Sequence, residues 1–335
     1  MKKQYRYFVG IDVSKGKLDV CLSSAEKEGM YTAVVDNSRK GVRQLVRAVR
    51  SHVPKEDWGL ILFCMEHTGV YINRLLRGLR ADHCLIWVES ALRIKQAIGH
   101  LSRGKDDQID AKRIADFAKR HADRARLYHP RREPIQKLAH LMAIRNKLKQ
   151  YKTGLATSLR EKKAFDGGEL KQELNFGKQS IKAMEKEIKA IEQRMREIIR
   201  EDDRLKDIYR YVTSVPGIGF VNGVYFIVVT NEFKSFTDPK AYATHAGVAP
   251  FPNRSGKVIK PDRVSQKAHK ELKKNLQMAV TSLIGRTGEL NEYYVRKTAE
   301  GKHTMSVMNA MRNKLIHRVF ACAIQERKYQ LSKPD

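Results

Sequence analysis

Cysteine is scarce: four residues in 335, at positions 21, 64, 84 and 322. There is no CxxC pair and no Cys/His group at zinc spacing, which excludes a disulfide framework and a structural zinc site. Cys21, Cys64 and Cys84 fall in apolar runs and are expected to be reduced core residues. Long apolar runs are absent too. None reaches the roughly 18 residues of a membrane-spanning helix, and Asp12 interrupts the opening MKKQYRYFVGIDVS before a signal-peptide core could form. A cytoplasmic protein without a membrane partner is expected. No P-loop is present, which argues against nucleotide-driven chemistry. Aromatic residues are few, 8%, leaving little material for stacking on bases. Acid is also short: 37 Asp and Glu stand against 66 Lys and Arg, a net charge of +29.

That imbalance implies a polyanionic partner, because each neutralised phosphate releases condensed counterions. A membrane surface would favour one basic amphipathic helix, whereas here the charge is spread along the whole chain, which favours nucleic acid. Residues 119–163 alone hold 14 Lys and Arg against 3 Asp and Glu. Their basic face could follow a nucleic-acid backbone, or simply be solvated.

Residues 1–125 alternate between strands and helices. YRYFVGID and KLDVCLSS are β-rich runs joined by VSKG, and MYTAVVD is a third. SRKGVRQLVRAVRSHV has Val42, Leu45, Val46 and Val49 on one helical face. WGLILFCME is a buried strand by its continuous apolar character. A helix from about 69 to 80, the strand HCLIWVE, a helix near 90–97 and a final helix complete the region. Hairpins first and βαβ units afterwards predict a mixed sheet with helices on its faces, in the element order of an RNase H-like fold.

Residues 126–205 turn helical. Leu141, Ile144, Leu148, Tyr151 and Leu155 form one heptad seam, and Ile181, Met184, Ile188, Ile191, Met195 and Ile198 another. Two long helices paired antiparallel are expected, or pairing with a second copy of the chain. Residues 206–330 read as a third, mostly α-helical region. VPGIG resembles the turn of a helix-hairpin-helix element, which either presents backbone N–H groups to a phosphate or simply links two buried helices. HAGVAPFPNRSGKVIKPDRVS reads as a turn-rich basic loop.

Asp12 and Glu66 each close an otherwise apolar strand. A charge in that position is costly unless something pairs with it, and a divalent cation would do so at both. GKDDQIDAKRIADFAKR (104–120) offers more carboxylates. At about 100° per residue, Asp107 and Asp110 continue the apolar stripe of Ile114, Ala118 and Phe117 and can reach one site. Asp106 lies at the stripe's edge and suits a cap. Asp116 falls on the opposite face, as a solvated partner for Lys112, Lys119 or Arg120. Four carboxylates suit two Mg²⁺ ions roughly 3.5–4 Å apart, the clamp used in phosphoryl transfer. Oxygen-only ligands favour Mg²⁺ or Mn²⁺. Ordinary caps and surface pairs are the alternative.

GIDVSK (10–15), MEHTGVY (65–71), KDDQIDAKRIADFA (105–118), VPGIG (215–219) and HAGVAPFPNRSGK (245–257), in this order and approximate spacing, resemble the DEDD-type insertion-sequence transposases guided by a bridge RNA. The resemblance implies a RuvC-like RNase H domain over 1–125, a helical coiled-coil linker over 126–205 and a C-terminal transposase domain over 206–330. It makes Asp12, Glu66, Asp107 and Asp110 the metal-binding catalytic carboxylates. Asp106 stands where the family commonly has threonine. Ser255 falls on the family's nucleophile, which attaches covalently to DNA. Arg254, Lys257 and Lys260 could hold the phosphate there. No base stands obviously beside Ser255; His245 is a loose candidate, and carboxylate-bound Mg²⁺ is the favoured activator. The chain departs from the family after this loop: VSQKAHKELKK (264–274) replaces the usual SKRG segment, and Lys267 or Lys270 could take over a phosphate contact.

The expected function is therefore RNA-guided, site-specific DNA recombination through a phosphoserine intermediate. Its partners would be donor DNA, target DNA, a structured guide RNA and further copies of the chain, as a dimer or tetramer. A junction endonuclease using water, and a nucleic-acid-binding protein without catalysis, are the alternatives.

Overall fold

A computed structural model describes residues 5–98, 107–165, 171–255, 258–264 and 268–330. The chain divides into two compact units, Met1–Pro130 and Arg131–Asp335.

The first unit is built on a five-stranded sheet. Its strands are β1 (Tyr7–Val13), β2 (Lys17–Ser24), β3 (Tyr31–Asp36), β4 (Ile61–Glu66) and β5 (Leu85–Glu89), in the order β3-β2-β1-β4-β5. β1, β2 and β3 run antiparallel, and β4 and β5 run parallel to β1. This is the mixed, RNase H-like arrangement expected from the element order. Four helices accompany it: α1 (Arg39–Ser51), α2 (Ile72–Ala81), α3 (Ala91–Ile98) and α4 (Asp107–Arg120). The α2 helix starts three residues later than the sequence suggests, after a turn through Gly69, where φ is +64°.

The two-residue period of the strands sorts their side chains between two faces. On one, Val9, Ile11, Leu18, Val20 and Phe63 pack with Val42, Leu45 and Val49 of α1 and Leu75 and Leu79 of α2. On the other, Phe8, Leu62, Cys64 and Trp87 pack with Ile114, Phe117 and Ala118 of α4. Each fully buried Val, Leu, Ile or Phe contributes roughly 1.5–3 kcal/mol of transfer free energy. Cys21 and Cys64 are buried free thiols, as expected, and Cys84 is partly buried.

The second unit holds the long helices α5 (Glu133–Phe165) and α6 (Lys171–Glu201), then α7 (Asp203–Thr213), α8 (Phe220–Thr230) and α9 (Pro239–His245). A hairpin of β6 (Pro250–Ser255) and β7 (Val258–Val264) follows, then α10 (Lys270–Thr281), α11 (Glu289–Ala299) and α12 (Thr304–Ile324). The α5 and α6 helices pair antiparallel: Arg145 bonds Glu192 at 2.7 Å, and Lys152 bonds Glu185 at 3.2 Å. In α6 the expected seam is buried at Ile191, Met195 and Ile198. In α5 it is displaced only in part, since Leu141 and Leu148 pack against the core as expected. Ile135, Leu138, Met142 and Arg145 face inward, while Ile144 and Tyr151 are 49% and 59% exposed. The α5 helix packs against α8 as well as α6, so its buried stripe is set by two partners rather than by one heptad seam. Its core is continuous with that of α8 and α12, where Phe226, Tyr242 and Phe320 meet.

VPGIG forms the turn between α7 and α8, with Gly217 at φ +87° and Gly219 capping α8. The segment expected to be a loop around Ser255 is instead paired as two antiparallel strands, β6 and β7. Pro252 is tolerated because it falls at the irregularity between Phe251 and Asn253, where the ladder is already interrupted.

Candidate active site

The site begins at Gly10. A Cβ there would stand 2.1 Å from the backbone oxygen of Ala111 and 2.3 Å from the nitrogen of Ala115. Only hydrogen fits, so α4 lies directly on β1 along its Ala111–Ala115 edge. The pleat puts residues two apart on one face, so Asp12 shares the α4-facing side of the sheet with Gly10. β1 and β4 pair in parallel, Gly10 beside Cys64 and Ile11 beside Met65. Cys64 packs on the α4 side, and Glu66, two residues on, therefore joins Asp12 there. Asp110 lies in α4 one residue before the contact with Gly10.

Electrostatics link the three. The Glu66 carboxyl is held above the usual glutamate range, first by burial. The nearby charges of Asp12 and Asp110 push it further up, while Lys95 opposes them. Asp110 also accepts a bond from Arg113 at 2.7 Å. Asp107 is the first residue of α4. Asp106 lies outside the described residues.

Two carboxylates that the sequence reading passed over adjoin this group. Asp19 stands directly opposite Asp12 in the β1–β2 register, and Glu89 opposite Glu66. Asp19 is 2% exposed and lies 3.3 Å from the ammonium of Lys17. Its Oδ2 has no hydrogen-bond partner. Glu89 is engaged with Arg93 at 3.0 Å and with the backbone N–H of Ser90 at 2.9 Å. The signal for Asp19 was present in KLDV, an acid inside an apolar strand, the same criterion that selected Asp12.

A carboxylate donor set in which Asp12 and Asp110 add to the raised proton affinity of Glu66 suits a hard divalent cation, which would relieve that repulsion. Among the described residues, no group of three or more His, Cys, Asp or Glu is close enough to hold a metal ion. The carboxylates are thus gathered on one surface without forming a closed cage.

Asp116 departs from expectation. Its Oδ1 is enclosed without a hydrogen-bond partner. Burial pushes its carboxyl up and the charge of Glu28 adds to that, while Lys112, Arg120 and Lys119, the expected partners, oppose it. The connection between β2 and β3 comes up beside α4, where Glu28 pairs with Lys112 at 3.9 Å, and covers a flank that helix geometry alone assigns to solvent.

In the second unit, Ser255 is the last residue of β6, paired with Val258. Arg254 pairs with Ile259 and Asn253 with Lys260. Lys270 opens α10 and is exposed. Lys257 and Lys267 lie outside the described residues. His245 ends α9 with its ring 5.7 Å from that of His269. Burial, then His269, lower its proton affinity and favour the neutral ring.

Two family profiles match the chain: a DEDD transposase profile over residues 9–162, and "Transposase IS116/IS110/IS902 family" over residues 209–295. The insertion element IS116 44.8 kDa protein of Streptomyces clavuligerus is 24% identical, over 92% of this chain and 93% of its own. The pilin gene-inverting protein of Moraxella lacunata is 22% identical, over 96% and 97%. Thermus thermophilus RuvC, solved with a Holliday junction substrate, aligns with 37% of this chain and all of its own at 13% identity and a TM-score of 0.29, a likeness too loose to add to the fold described above. With both profiles in order and relatives matched nearly end to end, the chain belongs to the IS110/IS116 family of DEDD transposases.

Proposed function

We propose that this transposase cuts and exchanges DNA strands through a covalent phosphoserine intermediate, with divalent-metal assistance and with sequence choice delegated to a structured guide RNA. The observation that carries the catalytic part is the coupling of Glu66 with Asp12 and Asp110 on one sheet face. Asp12, Glu66, Asp107 and Asp110 would hold Mg²⁺ or Mn²⁺, which supplies Lewis-acid stabilisation of charge on phosphoryl oxygens. The chain's own residues do the rest. The Ser255 hydroxyl attacks a backbone phosphorus and loses its proton. A serine–phosphate bond forms as the phosphate–sugar bond breaks, and the departing sugar oxygen leaves as a hydroxyl. A hydroxyl from a second strand then attacks the phosphoserine, restoring the serine and joining the new strand. Phosphodiester bonds are conserved, consistent with the absence of a P-loop. Arg254, Lys257, Lys260, Lys267 and Lys270 supply positive charge for the phosphates.

One relative is named for an insertion element and another for inverting a gene; conservative strand exchange serves both outcomes. Guidance by RNA accords with a net charge of +29 and few aromatics, a composition suited to phosphates and helix shape more than to base stacking. A dimer or tetramer is the proposed active form.

The test combines purified protein, Mg²⁺, labelled donor and target DNA, and RNA transcribed from the element's flanks. A protein–DNA adduct that survives denaturation is expected with the wild type and absent with Ser255→Ala. Asp12→Ala and Asp110→Asn should abolish cleavage. Cleavage without an adduct, insensitive to Ser255→Ala, would identify a water-using endonuclease. Binding without cleavage, unchanged in Asp12→Ala, would identify a non-catalytic binder.

A further inference from the structure

A cluster of four arginines in the first unit lies on the sheet face that carries no candidate catalytic carboxylate. The α1 and α2 helices pack side by side, and their outer surfaces enclose a cleft of about 480 Å³ lined by Arg39, Arg43, Arg74 and Arg77, with Asp82 at one end. Gly78 allows the close approach, since a Cβ there would stand 2.4 Å from Val42 Cγ1. None of the four arginines has an ion-pair partner among the described residues. Two are nevertheless held in place: Arg74 donates to the backbone oxygen of Asn37 at 3.1 Å, and Arg77 to that of Asn73 at 3.2 Å.

The helix makes this arrangement costly. The N-terminal turn of α1 contains no acidic residue and begins with Arg39, although the helix dipole favours carboxylates at that end and disfavours cations. Local stability gains nothing from four unpaired guanidinium groups around one cleft. An anion gains a great deal, because four guanidinium forks line the same space.

We propose that this cleft is a second nucleic-acid site, holding a phosphate backbone on the side of the sheet away from the candidate active site. The eight residues from Arg74 to Ala81 rise about 10 Å, enough for roughly three phosphates of one strand. Contacts of this kind position a strand without reading its bases. The sheet therefore separates a cutting surface from a holding surface. The assignment rests on the nucleic-acid reading given above, and it adds a place where a backbone is anchored while another is cut. Guide RNA and flanking DNA share the recognised chemistry.

The test uses the full-length Arg43→Glu/Arg77→Glu variant, which leaves Arg74 and its structural bond untouched. Affinity for a short RNA duplex and for a DNA duplex of the same sequence is measured across a salt series, with melting temperature as the folding control. Binding of one duplex should weaken at least about tenfold, and its logarithmic salt dependence should flatten by about 2. Arg43→Gln/Arg77→Gln should fall between the wild type and the charge reversal. A loss confined to RNA assigns the cleft to the guide, and a loss confined to DNA assigns it to the element's flank. If the wild type binds both duplexes and neither affinity nor slope changes in the variants, the cleft assignment is overturned while the function stands. If the wild type binds neither duplex, the functional reading falls as well.

Discussion

Asp116 and Arg312 each place charge where the fold gives it little support. The Asp116 carboxyl is pushed up, chiefly by burial, so the folded state holds its proton to higher pH than the unfolded chain does. Stability contributed by that group falls as pH rises through the interval above the unfolded value of 3.8. Asp116→Asn should therefore raise Tm at pH 7, with the gain disappearing as pH is lowered toward that value, and it should leave strand cleavage intact. A lower Tm at pH 7, read by thermal unfolding, would show that the ionised carboxylate has a stabilising partner. Arg312 is 4% exposed in the middle of α12, its Nε lacks a hydrogen-bond partner, and no acid pairs with it among the described residues. Burial disfavours its charged form, yet a guanidinium does not surrender its proton in a protein. Arg312→Met should stabilise the protein by relieving the burial of an unpaired charge, measured by urea unfolding. Loss of stability would mean that the methionine packs worse than the charge it replaces.

At the scale of elements, the seating of α4 on β1 organises the candidate site. The contact has no room for a methyl group at Gly10, and both surfaces are backbone, so neither can yield as a side chain would. Gly10→Ala should cost about 1–3 kcal/mol as an overpacking change. It should also reduce cleavage far more than nucleic-acid binding, because it lifts Asp110 away from Asp12 and Glu66. Wild-type cleavage in a folded Gly10→Ala protein would show that the seating does not position these carboxylates. Elements were the most legible level in the sequence. The period of two in β1 and β4, and the 3.6-residue period in α1, are local signals that packing had only to confirm. The displaced stripe of α5 was not legible, because which face of a long helix is buried depends on how many partners it meets. Ile144 and Tyr151 satisfy a heptad pattern and still face outward.

For the molecule as a whole, charge is balanced very unevenly. The second unit concentrates an ionic network around the buried Glu232: Arg132 bonds both Asp202, at 2.7 Å, and Glu232, while Arg204 and Lys234 reach the same Glu232 at 3.3 and 3.2 Å. It joins the entry to α5, the N-cap of α7 and the turn after α8, where Asn231, Glu232 and Phe233 all take positive φ. Burial raises the Glu232 carboxyl, but the bonds and charge of Arg132, with Lys234, hold it below its ordinary value overall. A depressed folded value makes its stabilisation complete above the unfolded value of 4.5 and lost as pH falls through the folded one. Acid should therefore loosen this unit below about pH 4.5. Glu232→Gln should cost roughly 1–3 kcal/mol at pH 7 by removing the charge-assisted bonds to Arg132, and should flatten the acid branch of a Tm–pH profile. An unchanged acid branch would place the lability elsewhere.

Composition and periodicity by themselves determined that this chain is strongly basic, that its first unit is a mixed sheet with helices, and that Asp12 and Glu66 are charges ending buried strands. Those properties are local or additive, so they survive without a fold. Only the tertiary structure decided that Asp12 and Glu66 sit on the same face under α4, that Asp19 stands opposite Asp12, that one oxygen of Asp116 is enclosed and that Ser255 ends a strand. Each of those depends on register between segments distant in the chain, and pairing across the sheet, rather than any residue's own preference, sets that register.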